Sequence, residues 1–208
     1  MMALAAQSRR RRTALLLAVG TLAVGCTSRW TLRTEHPAIG LQWPYQPSRA
    51  KVSYVQSLMG IAQDKSSAST LSAIVLGTED EDRNSFVLPV AVATGRDGRI
   101  AVADMGRRCV HLYIPQQQRY VRLVGSEREV ITSPVGVIFD EDLRLYLSDS
   151  AGKVFVFGPD GALLSTIRKA GAQALQRPTG IAYSPTKKLL YVVDTLAHVV
   201  HAFRTEGE

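Results

Sequence analysis

Three short segments decide how this chain is read: Pro134-Val-Gly-Val-Ile138, Leu145-Tyr-Leu-Ser-Asp149 and Val154-Phe-Val-Phe157. The same order of residues stands on both sides of them. Upstream run Pro89-Val-Ala-Val-Ala93 and Ile100-Ala-Val-Ala-Asp104; downstream run Pro178-Thr-Gly-Ile-Ala182 and Leu190-Tyr-Val-Val-Asp194. Asp104, Asp149 and Asp194 are 45 and 45 residues apart, and Pro89, Pro134 and Pro178 are 45 and 44 apart. Self-similarity at a fixed period means that one supersecondary unit is used repeatedly.

Each unit reads as short strands joined by polar turns. Asp97-Gly98, Glu141-Asp142 and Thr186-Lys187 turn the first strand into the second. A third strand follows around Val110 to Ile114, Val154 to Phe157 and Val199 to Phe203. Arg119 to Leu123 supplies a fourth strand in the first copy, and Asp160-Gly161 leads into Ala162 to Ile167 in the second. A unit of this length and pattern is a propeller blade. The expected fold is therefore all-β, a β-propeller with about three blades visible.

The recurrent positions have structural reasons. Ala91, Gly136 and Gly180 are small because innermost strands crowd together near a propeller axis. Proline suits the first residue of a strand, where its missing donor breaks no ladder bond. An aspartate ending a strand can accept amide hydrogens from the following turn. Pro89, Pro134, Pro178, Asp104, Asp149 and Asp194 are accordingly read as structural residues of the repeat, not as a catalytic set.

Together these residues resemble NHL repeats. Val102-Ala103-Asp104-Met105-Gly106 and Val192-Val193-Asp194-Thr195 are close to the family pattern; Leu147-Ser148-Asp149-Ser150 is looser. The likeness covers residues 88 to 208 and extends weakly back to Lys51. It implies a bacterial lipoprotein with a ring of about six blades. The third copy stops at Glu206-Gly207-Glu208, level with Asp160-Gly161 of the second, so the ring is expected to be incomplete. Either the coding sequence is truncated, with Lys51 to Leu58 closing the final blade, or a half-propeller assembles as a dimer.

The N-terminus carries an export reading. Arg9, Arg10, Arg11 and Arg12 precede the apolar run Ala14 to Val24, short for a bilayer span and suited to a signal segment. Leu22-Ala23-Val24-Gly25-Cys26 resembles a bacterial lipobox, which makes Cys26 the lipidation site and the membrane contact. Thr27 after it leans towards the outer membrane, on the periplasmic side of the cell envelope. The expected organisation is a signal peptide with a signal helix over 1–25, a proline-containing tether over 26–50, a closing strand and helical insert over 51–87, and blades over 88–208. The insert is expected at Ser69 to Gly77, with Glu79 to Asp82 in a solvated loop after it.

The formal charge of +7 falls to +3, from 21 basic against 18 acidic residues, once residues 1–25 are set aside. That balance makes no electrostatic case for a nucleic-acid partner. Cys109 is left as a small apolar strand residue. His111 and His201 each stand seven residues after their blade's aspartate, which fits either a zinc ion shared between blades or a common strand position, filled by Phe155 in the second copy. The strand position is preferred, with His198 pointing to the opposite face and His36 outside the repeat. No nucleophile elbow, phosphate loop or zinc-helix motif is present. No catalytic, cofactor or metal residue is therefore named.

Two functions remain. One is a lipid-anchored binding or scaffold module for a protein, peptide or glycan ligand. The alternative is a propeller enzyme resembling lactone hydrolases or peptide amidating lyases, which hold a metal in the central channel. The innermost strands, Val90 to Thr94, Val135 to Phe139 and Thr179 to Ser184, carry no Asp, Glu or His, so the enzyme reading needs channel ligands from further blades. Binding leads.

Overall fold

The computed structural model describes residues 29–45, 47–64 and 84–205. Strand β1 (Trp30–Glu35) pairs with β4 (Ser57–Gln63), and a small hairpin of β2 (Gln42–Trp43) and β3 (Val52–Ser53) lies between them in sequence. The first blade is β5 (Pro89–Thr94), β6 (Ile100–Asp104), β7 (Cys109–Ile114) and β8 (Arg119–Leu123), paired in that order. The second is β9 (Pro134–Phe139), β10 (Leu145–Asp149), β11 (Lys153–Phe157) and β12 (Leu163–Ile167). A hairpin of β13 (Lys169–Ala170) and β14 (Gln173–Ala174) leads to the third blade: β15 (Pro178–Ser184), β16 (Leu189–Asp194) and β17 (Val199–Arg204). Every pairing is antiparallel.

The blades stack face to face because each strand alternates apolar side chains between two neighbours. Ala101, Ala103, Val110 and Leu112 of blade one meet Val137, Leu145, Leu147 and Phe155 of blade two in one buried cluster. Tyr146, Val154 and Val156, on the other face of blade two, meet Leu190, Val192 and Ile181 of blade three in a second. Successive antiparallel sheets sharing faces in this way form a propeller-type all-β stack. Close approach explains Gly136: a Cβ there would stand 2.7 Å from the Thr179 carbonyl of the next blade and 2.8 Å from Ser148 Oγ.

Two expectations need correction. Residues 26–50 are not a tether throughout, because Trp30 to Glu35 form a strand against Ser57 to Gln63. The prolines at 37, 44 and 47 all fall outside that ladder, so they break nothing in it. The single strand expected over Lys51 to Leu58 is split: Val52–Ser53 pair in the small β2–β3 hairpin, and the longer strand lies further on, at Ser57–Gln63. Val52 and Val55 are exposed at 62% and 69%, whereas Ile61 is buried at 2%, so burial selects the later register. The signal segment 1–25, Cys26, the helix expected at Ser69 to Gly77 and the acidic cluster 79–82 lie outside the described residues.

Candidate ligand groove beside the third blade

Each repeat aspartate sits where its blade's second strand ends, beside the chain entering the first. Asp104 accepts the Val87 and Leu88 amides at 2.7 and 3.0 Å and the Arg107 amide at 3.0 Å. Asp149 accepts Thr132, Ser133 and Ala151 amides at 2.6, 3.0 and 2.9 Å. Asp194 accepts Gln176 and Arg177 amides at 2.8 and 2.7 Å. The turn amide was foreseeable from Asx-turn chemistry; the pair lying 16 to 18 residues upstream was not. Burial pushes the Asp104 carboxyl upward, but these amides and His111 outweigh it and hold it below the usual range.

The two equivalent histidines each face their own blade's aspartate, not each other. His111 Nε2 lies 3.6 Å from Asp104 Oδ2 and 3.5 Å from Cys109 Sγ, and its Nδ1 meets the Tyr120 hydroxyl at 2.9 Å. His201 Nε2 lies 3.9 Å from Asp194 Oδ2. Val102 pairs with His111, Leu147 with Phe155 and Val192 with His201, so all three side chains occupy one strand position facing the preceding neighbour. No group of three His, Cys, Asp or Glu side chains is placed to hold a metal ion among the described residues.

Cysteine, histidine and aspartate in one cluster invite a nucleophilic reading, which the geometry denies. Cys109, His111 and Asp104 are all fully buried, under Phe86 at 5.1 Å from the imidazole and the stacked Tyr120 ring. Burial pushes the Cys109 thiol up and the His111 imidazole down to about 4, the latter against the pull of Asp104. A neutral thiol with no route for substrate is packing, not machinery.

An accessible concavity lies elsewhere. Among the described residues blade three has three strands, and nothing pairs with the outer edge of β17. Where blades one and two place a fourth strand, a groove of about 290 Å³ opens between blade three and β12. Buried Tyr146, Val156 and Leu190 floor it, Phe203 and Ile167 line its sides, and Arg144 and Arg204 also border it. Arg144 is anchored by Asp140 Oδ2 at 2.6 Å, which also accepts from the Tyr146 hydroxyl at 3.0 Å. Burial pushes the Tyr146 phenol up, so it stays a neutral donor. The sequence signalled none of this, since the groove depends on two blades meeting.

No family model matches the chain. No curated protein matches it either. Among solved structures it is similar in fold to "Kuenenia stuttgartiensis Hydrazine Synthase", with 17% identity, a TM-score of 0.46, and 62% of this chain matched to 36% of that one. "Streptogramin B lyase structure" is similar at 16% identity and a TM-score of 0.47, with coverage of 58% and 38%. A luciferin-regenerating enzyme matches at 20% identity and a TM-score of 0.42, with coverage of 53% and 38%. The chain spans less than two fifths of each of these structures.

Proposed function

We propose that the chain is an exported, lipid-anchored propeller of NHL-type blades that acts as a binding or scaffold module for a protein, peptide or glycan ligand. One observation carries the reading: the concave groove beside β17 joins an apolar floor to a polar border of exposed Arg204 and ion-paired Arg144, which is how ligand sites combine affinity with orientation. Export and anchoring rest on the Arg9 to Cys26 segment, which supports a lipidated Cys26 in the bacterial cell envelope, facing the periplasm from the outer membrane.

The test uses the full chain purified in detergent, offered to peptide and glycan arrays and, in parallel, to lactones and hydroxyglycine peptides. Saturable retention of a ligand class without turnover is the expected result. Turnover would replace this reading with the enzyme one. Labelling with an alkyne fatty acid, lost in Cys26→Ser, tests the anchor separately.

A further inference from the structure

We propose that His111 is an acid-released latch: its neutral ring holds the N-terminal β1–β4 sheet against blade one, and its protonation lets that sheet lift away before the blades unfold. Trp30 stands four residues after Cys26, so the sheet links the proposed anchor to the blades, and its release loosens one from the other.

Stacked rings join the sheet to the blade. The Trp30 ring of β1 lies 5.0 Å from that of Tyr120 in β8, Tyr120 stacks on His111 at 5.9 Å, and Phe86 stands edge-on to the imidazole at 5.1 Å. Beside the rings, the Trp30 amide donates to the Gln118 carbonyl at 2.8 Å and the Phe86 amide to the Met59 carbonyl at 3.1 Å. A two-stranded sheet is marginal by itself, so β1 and β4 hold their place by docking.

The imidazole sits under that docked surface, fully buried. Asp104, Cys109 and Tyr120 face it, and Arg107 and Arg122 add positive charge around it. On the sheet's side β1 brings Arg33, which donates to Ser85 Oγ at 2.8 Å, and Glu35 at its exposed far end; β4 brings no ionisable residue. Asp104 only accepts, so the proton of the neutral ring belongs on Nε2, and Nδ1 accepts from the Tyr120 hydroxyl at 2.9 Å. A second proton makes Nδ1 a donor. The phenol, pushed up by burial and so still protonated, must then turn its hydrogen elsewhere, and Trp30 rests on that ring. Asp104 attracts the charge, but its oxygens already take three amides. Opening the sheet gives the imidazolium the water that burial denies it.

The pH dependence follows by linkage. In the open form the imidazole takes a proton at its ordinary 6.5; in the closed form it resists until about 4. The open form binds more protons across that window, so its population rises about tenfold per pH unit, roughly 300-fold in all.

Hydrogen exchange of the full chain between pH 7 and 4, each rate divided by its intrinsic chemical rate, tests this. Amides of Trp30–Glu35 and Ser57–Gln63 should open more readily than those of Leu145–Asp149, and their opening should grow about tenfold per unit below 6.5. His111→Gln, which keeps a hydrogen-bonding side chain that does not titrate, should abolish the growth. In Trp43→Phe, which leaves Trp30 as the sole tryptophan, acrylamide quenching should rise over the same window. Protection of β1 and β4 equal to that of Leu145–Asp149 would mean that sheet and blades unfold together, and overturns the latch. Opening indifferent to pH, or growth that persists in His111→Gln, overturns it as well. If His111→Gln does not fold, the first two comparisons in the unaltered chain still decide.

Discussion

Blades one and three carry the same aspartate–histidine pair in opposite circumstances. In blade one, Tyr120 of the fourth strand stacks on His111, Phe86 closes it edge-on, and Trp30 of β1 covers Tyr120. His111 is fully buried there, whereas the His201 side chain keeps 13% of its surface exposed in a blade without a fourth strand among the described residues. The pair is one repeat position; its burial is set by what the fourth strand and the neighbouring sheet bring to it. Sequence equivalence thus fixes place and facing, and the flanking strands decide the electrostatics.

The largest effect expected on this comparison comes from the aspartates. Asp149→Ala strips the Thr132, Ser133 and Ala151 amides of their fully buried acceptor, and the stranded donors should cost about 3 kcal/mol. Asp194→Ala acts on the open-edged blade and should cost less. Urea midpoints of the two variants check the order. Equal losses would mean that the sheets unfold as one unit regardless of edge.

Acid should distinguish the blades next. Unfolded, the imidazole takes a proton as pH falls below 6.5; in the folded chain His111 resists until about 4. The unfolded state therefore binds more protons across that window, and stability should fall as pH drops through it, by about 3 kcal/mol. Asp104 adds a second loss at lower pH. Its folded value lies below 3.8, so its contribution is present above that point and disappears as pH falls through the depressed value. His111→Phe, which installs the residue type found at the same position in blade two, should flatten the window between 6.5 and 4 and leave the lower one. Stability measured by urea titration at stepped pH would show an unchanged slope if another group carries it.

How much of this was legible divides along the same line. The period revealed the three blades, their strand order and the aspartates, because identical local pairings repeat identical residues. The β1–β4 sheet repeats nothing. Trp30 finds its partner at Gln63, and Trp30 and Leu32 alternate only over six residues before Pro37. Its covering of blade one therefore had no periodic trace. The upstream amides on Asp104 were hidden for a different reason: backbone donors carry no residue signature, so only the folded return of the chain at Val87 and Leu88 exposes them. The groove is a relation between blades, and a repeat read one copy at a time shows none.

The smallest expected effect asks whether the last blade is crowded on its far side as the middle one is. Gly136→Ala should cost about 1–3 kcal/mol, because the added methyl would press on the Thr179 backbone of the adjoining blade, which cannot step aside. At the equivalent Gly180 the nearest atom to a new Cβ is Val193 Cγ2 at 3.1 Å, in the same blade, with Val200 of the neighbouring strand 57% exposed. A rotamer adjustment of Val193 suffices, so Gly180→Ala should change stability by less than about 0.5 kcal/mol. Thermal denaturation of the two variants side by side reads the difference. A Gly180→Ala loss as large as that of Gly136→Ala would show that this far face is packed in solution, and blade three would then have a neighbour as close as blade two has.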